Sequence, residues 1–110
     1  MKDKAFSASD FLEIKMNQKL KSDPSLLSDF YCVYQFEIDG DVWNLDLTDS
    51  KVKQIKRGAH DAPDCSVKMT EENFEKLLKR KLNVPLALLT GKLKISGDKA
   101  LALKLGELFS

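Results

Sequence analysis

Histidine and tryptophan each occur once in this chain of 110 residues, cysteine twice and proline three times. A tetrahedral zinc site wants four nitrogen or sulfur ligands, and His60, Cys32 and Cys65 supply only three. Neither a metal site nor a cofactor is therefore expected. The two cysteines lack Cys-x-x-Cys spacing, and each lies in an apolar alternating run. Buried free thiols are the expectation; a disulfide would need an oxidising compartment. The first ten residues are polar and hold no apolar stretch of signal-peptide length. Nowhere do apolar residues approach the ~20 of a membrane-spanning helix. An excess of one charge is missing too, since eighteen basic and seventeen acidic side chains leave +1 at pH 7. Nucleic-acid binding rests on a basic surface that neutralises phosphates, so that function class is set aside. The expectation is one soluble, monomeric domain over residues 1–110 in the cytoplasm.

What the chain does have is 43% hydrophobic and 32% charged residues, a globular composition. Ser9 can cap a helix running to Lys21, with Leu12, Met16 and Leu20 on one stripe and Asp23-Pro24 stopping it. The period then shifts from 3.6 to 2. Residues 30–38 alternate, Asp39-Gly40-Asp41 signals a hairpin, and residues 42–48 alternate with Trp43, Leu45 and Leu47 on one side. The lysine-rich stretch 51–57 suits a sheet edge, where lysines discourage further pairing. A fourth short strand puts Cys65, Val67 and Met69 on one side. Thr70 then caps a helix carrying Phe74, Leu77, Leu78 and Leu82, with Lys79, Arg80 and Lys81 in its last turn. Asn83-Val84-Pro85 breaks that helix, residues 86–89 form a short apolar turn, residues 92–96 a fifth strand, and Gly97-Asp98 opens a last helix to Leu108. Alternation leaves one sheet face dry, so the helices must cover that face in a two-layer α+β domain.

The apolar residues of the helices exceed what one covering stripe requires. Residues 86–89 are apolar most of the way round, and Leu103 falls off the stripe of Leu101, Leu105 and Leu108. The surplus faces other helices, a partner protein, or an apolar ligand between helices and sheet. Pattern alone leaves all three open.

The run Asp64-Cys65-Ser66-Val67-Lys68-Met69 with Phe74, the stretch Gly91-Lys92-Leu93-Lys94-Ile95-Ser96-Gly97, and Leu101-Ala102-Leu103-Lys104-Leu105 resemble the sterol carrier protein-2 family of nonspecific lipid-transfer domains. Trp43-Asn44-Leu45-Asp46-Leu47 adds to the likeness, which follows the family's order of elements. The resemblance implies a five-stranded mixed sheet with helices on one face. It also implies a tunnel between them for a fatty acid, acyl-CoA, sterol or phospholipid, exchanged at a membrane surface. Three departures stand out. Asn83-Val84-Pro85 replaces the common Asn-Pro, Thr90 and Gly106 stand where many relatives have glutamine, and the chain ends Leu108-Phe109-Ser110 without a Ser-Lys-Leu-type peroxisomal address.

With a tunnel there, the candidate ligand wall is Leu12, Met16 and Leu20; Leu26 and Leu27; Phe74, Leu77, Leu78 and Leu82; Leu86 and Leu89; and Leu101, Leu103 and Leu105, with Leu108 and Phe109 as a lid. Lys19, Lys21, Ser28 and Thr90 are the candidates for a ligand's polar end. Residues 71–110 hold eight basic and five acidic groups, which favours transient contact with an anionic bilayer. His60 is the only histidine, the residue type suited to general-base work at neutral pH, and no nucleophile elbow, phosphate loop or dinucleotide fingerprint is present. The sequence reading is therefore a lipid carrier and not an enzyme. Its alternative is a protein-interaction module with an exposed apolar helical face and no lipid.

Overall fold

In the computed structural model, which describes residues 6–48 and 53–108 (105–108 as backbone alone), the first helix starts at Ser7. The Ser7 hydroxyl accepts from the Asp10 N–H at 3.1 Å, so the cap lies two residues ahead of the expected Ser9. The segments Ala8–Asp10, Phe11–Lys15 and Met16–Ser22 run on as one helix, α1. Its middle turn is π-helical, with the Met16 N–H reaching the Phe11 carbonyl. Leu12, Met16 and Leu20 form the inward stripe and are buried.

Strands β1 (Val33–Ile38) and β2 (Asp41–Asp46) pair antiparallel across the Asp39-Gly40 turn, with Phe36 opposite Trp43. Strand β3 (Ile55–Arg57) pairs antiparallel with β2. Strand β4 (Cys65–Met69) lies parallel to β1 on its other side, and β5 (Lys94–Gly97) pairs antiparallel with β4. The sheet is thus mixed, in the order β3-β2-β1-β4-β5. The basic third strand sits at an edge, where its lysines suit it; residues 51 and 52 of the expected stretch lie outside the described residues. Tyr34, Phe36, Ile38, Trp43, Leu45, Ile55, Cys65, Val67 and Met69 make the dry face.

The polar face is fastened by a loop. The His60 backbone N–H donates to Gln35 Oε1 at 2.9 Å, and the Ala62 N–H donates to His60 Nδ1 at 3.0 Å. Nδ1 is therefore the acceptor, which leaves Nε2 facing Asp46 Oδ2 at 3.3 Å.

Helix α2 (Glu71–Leu78) is capped by Thr70, whose hydroxyl accepts from the Asn73 N–H at 3.1 Å. It ends four residues before the expected Leu82. The Arg80 N–H bonds to the Leu77 carbonyl and the Lys81 N–H to the Lys76 carbonyl, a pattern that closes the helix with Arg80 at φ +60°. Helix α3 (Val84–Leu89) starts on Asn83, whose side chain accepts from the Leu86 N–H at 3.1 Å, with Pro85 in its first turn. Helix α4 (Lys99–Leu108) closes the fold.

A polar cluster ties α1 to the sheet. Glu13 Oε2 accepts from Trp43 Nε1 at 2.7 Å, Ser9 Oγ at 3.0 Å and Arg57 at 2.7 Å, while Arg57 stacks 4.8 Å over the indole. These donors, Trp43 foremost, hold the Glu13 carboxyl below its ordinary value of 4.5. A carboxyl depressed in the folded state stabilises the fold above its ordinary value and loses that contribution as pH falls through the folded one. Glu13→Gln is expected to cost about 1 kcal/mol at neutral pH, a modest figure because the side chain is 36% exposed. It should also flatten the acid limb of stability measured by urea titration.

Candidate functional site

Between the dry face and the last three helices lies a cavity of about 510 Å³. Its size falls within the ~300–1,000 Å³ of ligand pockets. Among the described residues, Phe36, Val67, Met69, Leu93 and Ile95 form its floor. Leu77 of α2, Arg80 and Leu82 of the turn that follows it, Val84, Pro85 and Leu88 of α3, and Ala102 and Leu103 of α4 form its walls. The sheet supplies an apolar base, and the breaks at Arg80 and Asn83 separate α2 from α3, whose buried Ala87 accepts at its carbonyl from the Leu93 N–H at 3.1 Å. Leu103, 73% exposed, marks the open rim.

Tyr34 anchors the side of this cavity. Its hydroxyl donates to the Leu101 carbonyl at 2.8 Å, joining α4 to β1, and its ring stacks on Phe36 with centroids 6.4 Å apart. Burial pushes the Tyr34 hydroxyl well above its ordinary value, so it remains a donor. Cys32 and Cys65 are free and buried, as expected. Burial, with Asp98 adding to it, pushes the Cys65 thiol up to about 11; Cys32 is likewise raised by burial. Both thiols stay protonated at neutral pH.

Of the residues expected to line a ligand tunnel, Leu77, Leu82 and Leu103 do reach the cavity. Leu12, Met16, Leu20, Leu27 and Phe74 are core residues, and Leu26, Leu78 and Leu101 pack against that core. None of these eight is among the residues that line this cavity; Leu12, Met16 and Leu20, the inward stripe of α1, are spent in the core instead. Leu86 and Leu89 point outward, the latter 85% exposed. Because Asn83 starts α3, its inward face falls on Val84, Ala87 and Leu88, and a helix phased from Leu86 misses this. The side chains of Leu105 and Leu108, and all of Phe109, lie outside the described residues. Lys19, Lys21 and Ser28 are exposed around the end of α1, and none of the three lines the cavity. The Thr90 hydroxyl donates back to the Leu86 carbonyl at 2.9 Å and does not line it either.

Sequence reasoning missed the floor residues and Arg80. The floor was recoverable from the strand alternation; Arg80 was hidden because it was read as one more charge in a helix end. Around the mouth, Leu86, Leu88, Leu89 and Leu103 account for four of the six large apolar side chains exposed among the described residues. The segment 79–104 that builds this end carries seven basic residues and one acidic.

Comparison with known proteins gives three findings. The SCP-2 sterol transfer family matches residues 9–110. The chain is 43% identical over 82 residues to hydroxysteroid dehydrogenase-like protein 2 of Rattus norvegicus, and 36% identical over 66 residues to peroxisomal multifunctional enzyme A of Dictyostelium discoideum. Those matches cover 71% and 60% of this chain but 16% and 15% of the relatives, so the chain spans a minor part of their length. The solution structure of palmitated SCP2L2 from Aedes aegypti superposes with a TM-score of 0.73 at 27% identity, covering 94% of this chain and 95% of that one. The expectation that the chain is not an enzyme is overturned by these relatives, which carry enzyme names and share this domain. Whether the domain is joined to an enzymatic activity is a matter of the longer proteins, since the match lies within this one segment. The word peroxisomal likewise belongs to the Dictyostelium protein.

Proposed function

The chain belongs to the SCP-2 sterol transfer family, and on that premise we propose that it carries one single-chain lipid in the cavity between α2–α4 and the sheet. Lipid binding and transfer in general follows from the family. The observation that supports this reading in the present chain is the apolar cavity of about 510 Å³, floored by strand residues with Leu93 beside them. Each methylene removed from water contributes about 0.8 kcal/mol. Ten buried methylenes therefore supply about 8 kcal/mol before the costs of association. Such a driving force is insensitive to chain chemistry, which accounts for breadth of ligand. The palmitated relative supports a fatty acid over a sterol as the occupant.

The exposed leucines at the mouth and the basic character of segment 79–104 together fit an anionic bilayer, with the mouth facing it. Apolar side chains enter the interface, and each nearby lysine or arginine adds about 1 kcal/mol. The unit that acts is the single domain of residues 1–110, as one chain, and the cytoplasm expected from the sequence belongs to the same reading.

Native mass spectrometry of the purified protein is expected to show one lipid per chain, and added fluorescent fatty acid should move between vesicles faster as their phosphatidylserine content rises. Absence of lipid together with no response to fluorescent fatty acid would overturn the reading. Leu86 and Leu89 would then be the two faces of a protein-binding surface.

A further inference from the structure

We propose that Arg80 receives the carboxylate of a fatty acid at the rim of the cavity, so that the ligand lies with its head at the α2–α3 turn and its tail over the sheet. This rests on the carrier reading and adds to it a head-group site and a preference for the ionised acid.

Three observations converge on the residue. First, Arg80 is the one charged side chain among the described residues that line the cavity; every other is apolar. An ionised carboxylate taken from water needs a charged or hydrogen-bonding partner, and the guanidinium fork matches it with two parallel bonds. Second, Arg80 has no acidic partner among the described residues, whereas its neighbour Lys79 is paired with Glu75 at 2.8 Å. Among the described residues nothing neutralises the charge at the rim. Third, its backbone is costly. The residue occupies the position just past the helix end, at φ +60°, where the two bonds that close α2 meet. Glycine takes this conformation freely, and a side chain there works against the fold. Asn83, which starts the next helix, is three residues away, so the turn is short and fixes where the Arg80 side chain originates. A strained arginine on an apolar wall is a poor choice for stability and a good one for an anion.

The candidates nearer the sequence's first expectation do not compete. Thr90 spends its hydroxyl on the α3 carbonyls, and Lys19 and Lys21 do not line the cavity.

The test compares oleate with methyl oleate by displacement of an uncharged fluorescent alkyl probe, at mildly alkaline pH where the acid is ionised. The wild-type chain is expected to bind oleate about tenfold more tightly than the ester, the size of one charged hydrogen-bonding contact. In Arg80→Gly the ratio should fall to about one, while the Tm stays the same or rises because glycine relieves the backbone. Arg80→Lys, which keeps the charge but not the fork, should retain a ratio of about three. A wild-type ratio near one, or a tenfold ratio that survives in Arg80→Gly, overturns the assignment while leaving the carrier reading intact. Failure of the wild type to bind either compound overturns the carrier reading and this one with it.

Discussion

Gly97→Ala is expected to destabilise the protein by about 3 kcal/mol or more, the combined order of a strained backbone and an overpacked contact. Gly97 sits at φ +87°, and a Cβ built on it would stand 2.3 Å from the Asp64 carbonyl oxygen. That carbonyl is not free to retreat. It accepts the Asp98 N–H at 2.8 Å, while the Asp64 N–H bonds to the Val33 carbonyl at 2.9 Å and its carboxylate accepts the Val33 N–H at 2.8 Å. Asp64 is thus a clip holding β1, β4 and the end of β5 together, and Gly97 is where β5 passes under it. Gly40 provides the comparison: its φ is +88°, but nothing lies within 4 Å of an added Cβ. Gly40→Ala should cost about 1 kcal/mol, the backbone term alone. Urea titration with an unchanged slope would read both values. Equal losses at the two positions would show that the Asp64 clip yields, and the packing argument would fall. Because β5 leads directly into α4, the Gly97 variant should also loosen the cavity wall that Ile95, Ala102 and Leu103 provide.

The strands were the most legible part of the chain. Two-residue alternation places Trp43 and Leu45 on one side without any tertiary information, and the Asp39-Gly40 turn sets their pairing with Phe36 and Tyr34. What alternation could not supply was the parallel seam between β1 and β4, which depends on a connection made through three dimensions; only the family resemblance implied a mixed sheet. Helix existence was equally plain, but helix ends were not. The stretch from Lys79 to Leu82 reads as helix by charge and spacing, and only the two bonds that close on Arg80 end it at Leu78. That early stop separates Leu82 from the helix and gives Asn83 the capping role, which in turn sets which leucines of α3 face inward. An error of four residues at one helix end therefore propagated into the candidate site. The same logic explains α1. Its apolar residues were read as surplus available to a ligand, yet Leu12, Met16 and Leu20 are consumed by contact with the sheet, while Ile14 is left exposed.

The hollow itself is tested by filling it. Ala102 lies on the wall formed by α4, half-buried and without bulk of its own. In a packed interior an indole at this position would force neighbours off their rotamers at a cost of about 1–3 kcal/mol. In a cavity of about 510 Å³ the ring has space already present. Ala102→Trp is therefore expected to leave stability within about 1 kcal/mol of wild type, since burying the ring offsets much of the local rearrangement. Fatty-acid binding should fall at least tenfold, because the volume the tail would occupy is taken. Leu103→Trp, at the open rim and mostly in solvent, should weaken binding far less. Titration with a fluorescent fatty acid beside thermal unfolding separates the cases. Loss of stability with uptake preserved would mean that Ala102 faces a solid interior and that the ligand lies elsewhere. Loss of uptake with stability preserved would place the tail against α4, between Ile95 of the sheet and Leu88 of the short helix above it.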